Sequence, residues 1–152
     1  MTAHPVRPAA AVVQVRRVVP AALEEVFRAW TDPELVCQWF RPRGGSSPSA
    51  EMDVRVGGRY RWAMKLFGHV YYAVGEYVEV EPPHRLVFTF GWERALVRLT
   101  DSVVTVELAG HGDQTEVVIT HERLGTRTLR AMHAAGWRTC LTYLGRIVGS
   151  RR

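Results

Sequence analysis

Cysteine is scarce in this sequence, and lysine is scarcer. Cys37 and Cys140 stand alone, without CxxC or Cys/His ligand spacing, so neither a disulfide framework nor a zinc site is expected and a reducing cytosol fits. Of the basic residues only Lys65 is a lysine, a bias that genome composition explains as readily as function. No apolar run approaches the ~20 residues of a membrane-spanning helix. The Pro- and Ala-rich start, Met1 to Ala11, lacks the apolar stretch of a signal peptide. A frayed tail over residues 1–11 and a cytoplasmic location are the expectations, with one domain over 12–150. There is no GxSxG, no GxxxxGK[ST] and no carboxylate cluster suited to a metal, so no cofactor, metal or assembled catalytic set is predicted. Arg43 to Pro48 is rich in Gly, Ser and Pro, but a strand pattern follows it, so no helix N-terminus would meet a phosphate there.

Acidic residues are missing altogether from Arg123 to Arg152, where seven arginines stand. The whole chain carries +5, so +7 in those last thirty residues leaves −2 for the first 122. The basicity is local and does not indicate nucleic acid. A basic helix face can attract anionic lipid or an acidic protein partner, and it can equally be a solvated surface, which is the expectation.

What is present begins with that same stretch. From Thr126 to Val148, the residues Leu129, Met132, His133, Gly136, Trp137, Cys140, Leu144 and Ile147 recur at steps of three and four, which predicts one buried face of a long α-helix. Thr126 is placed as its N-cap and Gly149 as its stop. Near the other end, Val12 to Val19 reads as a strand that Pro20 ends. Two short helices follow, one with Leu23, Val26, Phe27 and Trp30 on a face. The other starts at the capping-box spacing Thr31-Asp32-Pro33-Glu34 and presents Leu35, Val36, Trp39 and Phe40.

The middle of the chain alternates as half-buried strands do. Ala50, Met52, Val54 and Val56 form one apolar set and Tyr60, Trp62, Met64 and Leu66 the next, so a three-residue loop with a glycine bulge predicts Val56 opposite Tyr60, Val54 opposite Trp62 and Met52 opposite Met64. A three-residue Phe67-Gly68-His69 loop then pairs Leu66 with Val70, Met64 with Tyr72, Trp62 with Val74 and Tyr60 with Glu76. That register aims a carboxylate at the core, opposite Phe90 if Val80 pairs with Leu86. A slip at Gly75 would turn it outward. Leu86, Phe88, Phe90 and Trp92 share the next inward face, Glu93 to Thr100 is ambiguous, and Val104, Val106 and Leu108 precede a turn. Val117, Ile119 and His121 then alternate inward, which makes His121 the second polar residue pointed at the interior.

The expected fold is α+β: about seven antiparallel strands, two short helices after the first, and a long C-terminal helix. This order resembles the helix-grip fold of the START/Bet v 1-like superfamily, a curved antiparallel sheet wrapped around the last helix. More narrowly, the chain resembles the family named after the C-terminal domain of the activator of Hsp90 ATPase. The stretches that carry the likeness are Pro20-Ala21 through Glu25-Val26-Phe27-Arg28-Ala29-Trp30-Thr31-Asp32-Pro33-Glu34, Trp39-Phe40-Arg41-Pro42, Arg55-Val56-Gly57-Gly58-Arg59-Tyr60, Gly75 with Glu81-Pro82-Pro83-His84-Arg85-Leu86, Thr115 to His121, and His133 to Trp137 with Leu141 and Leu144. The resemblance implies a cavity between sheet and helix for a small, mainly apolar molecule. Tyr60, Trp62, Met64, Tyr72, Glu76, Phe88, Phe90, His121, Met132, Gly136 and Cys140 are the candidate lining residues. Glu76 and His121 would orient the ligand, since a buried charge must be paired or neutralised. A co-chaperone role through the arginine face, and a cyclase or hydrolase using Glu76, are the alternatives.

Overall fold

The computed structural model describes residues 12–93 and 102–149. The expected tail over 1–11, and all of the ambiguous Glu93 to Thr100 stretch except Glu93 itself, lie outside the described residues. Along the chain come β1 (Val12–Val19), α1 (Leu23–Thr31), α2 (Pro33–Trp39), β2 (Ala50–Met52), β3 (Arg59–Leu66), β4 (His69–Glu81), β5 (Arg85–Glu93), β6 (Ser102–His111), β7 (Gln114–Glu122) and α3 (Arg127–Gly149). The seven strands form one antiparallel sheet in the order β1-β7-β6-β5-β4-β3-β2. This is the α+β helix-grip fold, with β1 set beside β7 and α3 packed against β1 and α2.

Local chemistry accounts for the helix boundaries. The Thr126 hydroxyl accepts from the Leu129 N–H at 3.1 Å, capping α3 as expected. Between the short helices the cap is Asp32, whose carboxylate accepts from the Glu34 N–H at 2.9 Å, with Pro33 in the first turn. The Thr31 hydroxyl turns back to the Phe27 carbonyl instead. Trp39 donates its indole N–H to the Ala29 carbonyl at 2.8 Å and so fixes α2 on α1.

On the β6–β7 side the alternation predicts the structure correctly, with Val104, Val106, Leu108, Val117, Ile119 and His121 all buried. On the β2–β3–β4 side it does not. β2 stops at Met52, which pairs with Tyr60, while Ala50 pairs with Trp62. Val56 lies 63% exposed in a loop whose Gly57 N–H and Gly58 carbonyl bond the backbone of Tyr77. A Cβ on Gly58 would collide with the Asp53 carbonyl, so close backbone approach, not hairpin pairing, explains the glycines there.

The β3–β4 hairpin turns on two residues, Phe67 (φ 52) and Gly68 (φ 78). Both lie in the left-handed region, as in the two-residue turns that match strand twist. Leu66 therefore pairs with His69, Met64 with Tyr71, Trp62 with Ala73, and Glu76 with Arg59. Every residue of β4 up to Tyr77 is shifted by one from the expected register, and each side chain changes face. Glu76 is exposed, and Tyr77 takes the interior. Val80 does pair with Leu86, but a shift between Tyr77 and Glu79 puts Tyr77 opposite Phe88.

α3 buries His133, Trp137, Cys140, Leu141, Leu144 and Val148. Met132 is 51% exposed and Gly136 is exposed. Each sits one residue, about 100° of helix, before the buried His133 and Trp137.

Candidate functional site

The space between the sheet and the helices is occupied by rings. Trp30 and Trp39 lie 4.3 Å apart by centroid, Trp39 and Trp62 5.9 Å, Trp62 and Tyr60 4.7 Å, and Tyr60 and Tyr77 5.7 Å, with Phe40 and Phe88 edge-on between them. Each such side chain contributes roughly 1.5–3 kcal/mol by its burial. Phe90 continues the array to Trp92, His121, His133 and Trp137.

Two tryptophan–histidine pairs stand at that end. Trp137 donates its indole N–H to His121 Nδ1 at 3.1 Å, so the proton of His121 sits on Nε2, 3.0 Å from Ser102 Oγ. Ser102 in turn donates to the Phe90 carbonyl. Trp92 donates to His133 Nε2 at 3.1 Å, and His133 Nδ1 donates to the Leu129 carbonyl at 2.7 Å. Both imidazoles are neutral, and each ring nitrogen is engaged. Burial pushes His121 down to about 3, helped by the neighbouring His133 ring 5.1 Å away. Burial also lowers His133, against the Leu129 hydrogen bond. His121 points inward as alternation predicts, yet its bonds go to the protein.

Tyr60 crosses beneath β4 and donates to the Thr89 carbonyl at 2.6 Å. Gly75 permits this, because a Cβ there would collide with the Thr89 oxygen and crowd the Tyr60 ring. Cys140 is buried with its thiol pushed up to about 12 by burial, its sulfur 3.9 Å from the Arg41 carbonyl. Met64 is half-buried against the core. Tyr60, Trp62, Phe88, Phe90, His121 and Cys140 are thus gathered inside with Met64 at the edge, whereas Met132 and Gly136 face solvent.

Tyr72 and Glu76 lie on the outer face of the sheet, where the register shift puts them. Arg61 stacks over the Tyr72 ring at 3.5 Å and bonds Glu93 at 2.9 Å. Beside them Glu51, Arg59, Glu76 and Thr89 line a solvent-open depression of about 580 Å³. Glu76 therefore has no position from which to act as acid or base inside the fold.

Among the described residues five buried side-chain polar atoms lack a hydrogen-bond partner: Glu25 Oε2 and Arg41 Nε belong to partly exposed residues, and Trp30 Nε1, Trp62 Nε1 and Tyr77 Oη lie in the interior. The residues of these last three are at most 1% exposed. Burial holds the Tyr77 hydroxyl protonated. None of the three was among the expected polar groups. The sequence pattern marks Trp30 as an apolar helix residue and Trp62 as a lining residue without a polar role, and the register that places Glu76 inside hides Tyr77.

The arginine face of α3 is partly engaged. Arg130 donates to the Leu124 carbonyl at 2.9 Å and Arg146 sits over Tyr143, while Arg127, Arg138 and Arg146 are exposed. Among the described residues no group of three His, Cys, Asp or Glu gathers as metal ligands do, and no helix is long and apolar enough to cross a membrane.

A family model described as activator of Hsp90 ATPase homolog 1-like protein matches residues 20–149. Among solved structures the chain is similar to protein CV1439 from Chromobacterium violaceum, at 26% identity over 91% of this chain and 96% of that one, TM-score 0.80. It is also similar to CalU16 from Micromonospora echinospora, at 27% identity over 90% and 75%, TM-score 0.67. A third likeness is to DynU16, described as a protein of the dynemicin biosynthetic locus, at 26% identity over 93% of this chain and 48% of that one, TM-score 0.75. Among curated proteins, none matches in sequence.

Proposed function

Since the chain belongs to the activator of Hsp90 ATPase homolog 1-like family, we propose that it binds a small, mainly apolar molecule between the sheet and α3. The ligand is aromatic in character and carries a hydrogen-bond acceptor. The observation that supports this is the set of unpartnered atoms in an interior filled with aromatic rings. A buried donor without an acceptor costs about 1–3 kcal/mol, and two indole N–H groups and a phenol hydroxyl stand in one continuous array of rings. A carbonyl or phenolic oxygen supplied by a ligand offsets that cost, while its rings replace the aromatic contacts displaced on entry. Specificity then comes from polar pairing, because a site that hydrogen-bonds its ligand discriminates against the plain hydrocarbon. A biosynthetic small molecule is in keeping with the description of DynU16.

The test is a thermal-shift panel in which aromatic hydrocarbons are paired with their ketone or phenol analogues. A ligand at 100 times its Kd stabilises by about 2.7 kcal/mol. The oxygen-bearing member of at least one pair is expected to raise the unfolding temperature by several degrees and its hydrocarbon partner is not. Equal shifts within every pair, or none at all, contradict the proposal.

A further inference from the structure

Seven large apolar side chains are strongly exposed among the described residues, and three of them, Phe67, Val70 and Tyr71, fall within five consecutive positions at the β3–β4 hairpin tip. Phe67 is 90% exposed at the apex. Its φ of 52 is one that bulky residues disfavour, in a turn where Asn, Asp or Gly is the stable choice. Neither local conformation nor packing explains a phenylalanine there. His69, Val70 and Tyr71 are exposed in succession although alternate residues of a strand face opposite ways, so the tip stands clear of the fold on both faces.

Within the hairpin tip and the loop beside it charge has one sign, and the Glu93 carboxylate opposite Tyr72 is ion-paired with Arg61. No Asp or Glu occurs in 41–50 or in 62–75. Lys65 lies opposite Val70 on the hairpin, and the exposed Arg43 belongs to the neighbouring loop, which is held to the hairpin by reciprocal Ser46–Lys65 backbone bonds of 3.0 and 2.7 Å. A groove on a protein partner would meet one apolar face. An apolar apex with apolar flanks on both faces and a basic collar instead suits a medium that surrounds it and carries negative charge at its boundary.

We infer that the β3–β4 hairpin docks on anionic phospholipid surfaces, with Phe67, Val70 and Tyr71 entering the headgroup–acyl boundary and Lys65 and Arg43 meeting the lipid phosphates. The interior ligand plays no part in this. The test is co-sedimentation of the full chain with vesicles of equal parts phosphatidylcholine and phosphatidylglycerol, and with phosphatidylcholine alone. Wild-type protein is expected to partition onto the mixed vesicles and to lose that partitioning in high salt. F67N is expected to bind about tenfold more weakly, while unfolding at the same temperature as wild type or higher, because asparagine accepts the left-handed turn. K65E combined with R43E removes the preference for phosphatidylglycerol. Wild-type protein that stays in the supernatant with both vesicles, or F67N that partitions like wild type, overturns the inference.

Discussion

Five tryptophans shape the interior of this domain, and they fall into two groups. Trp39, Trp92 and Trp137 give their indole N–H to the Ala29 carbonyl, His133 and His121. Trp30 and Trp62, equally buried or more so, give theirs to nothing, and the Tyr77 hydroxyl beside them shares that state. In the first group Trp39 ties α2 to α1, while Trp92 and Trp137 belong to a closed histidine network whose polar atoms are matched, and such a network rigidifies and specifies one packing. The second group carries polar capacity that the protein does not use. The difference separates side chains that hold the helices in place from side chains whose polar atoms stand unmatched.

The largest expected effect comes from breaking the closed network at its centre. His121→Ala leaves the Trp137 indole N–H without an acceptor, removes the hydrogen bond that Ser102 Oγ accepts and opens a cavity, so urea unfolding is expected to show a loss of about 3–5 kcal/mol. Acid attacks the same place. His121 accepts a proton in the unfolded chain near pH 6.5 and in the folded one only near pH 3, so its contribution is present above about 6.5 and lost as pH falls. At pH 5 the loss is about 2 kcal/mol relative to pH 7 from His121 alone, and His133 adds in the same direction. The same titration in His121→Leu is expected to show a shallower slope. Trp137→Phe, which removes one donor and strands His121 Nδ1, is expected to cost about 1–3 kcal/mol.

The smallest effect sharpens the comparison most. Tyr77→Phe deletes a hydroxyl that has no partner, so the free protein is expected to change by less than about 1 kcal/mol, toward greater stability. If it costs as much as Trp137→Phe, the two groups are alike and Tyr77 Oη is satisfied after all.

These differences also mark how far sequence reasoning reaches. The fold was legible because it rests on periodicity and caps: Thr126 at the head of α3, the inward Val117-Ile119-His121 alternation, and the two short helices around Asp32. The inward aim of His121 was legible for the same reason. The face of Glu76 was not, because it depends on the φ of one residue nine positions earlier, and nothing about a phenylalanine announces a left-handed turn. Met132 and Gly136 were misplaced because a helix stripe read at steps of three and four is ambiguous by one residue until its partners are known. The pairing of Trp92 with His133 and of Trp137 with His121 joins residues 41 and 16 positions apart, which no local pattern encodes.

The most direct measurement is the indole N–H region of a nitrogen–proton correlation spectrum, assigned by single Trp→Phe variants and recorded while an acceptor-bearing hit from the thermal-shift panel is added. New hydrogen bonds to Trp62, Trp30 or both are predicted to move those resonances downfield, while those of Trp39, Trp92 and Trp137 stay within ordinary ring-current changes. A bound ligand that leaves Trp30 and Trp62 in place and displaces the Trp92 or Trp137 resonance instead would contradict the division on which this account rests.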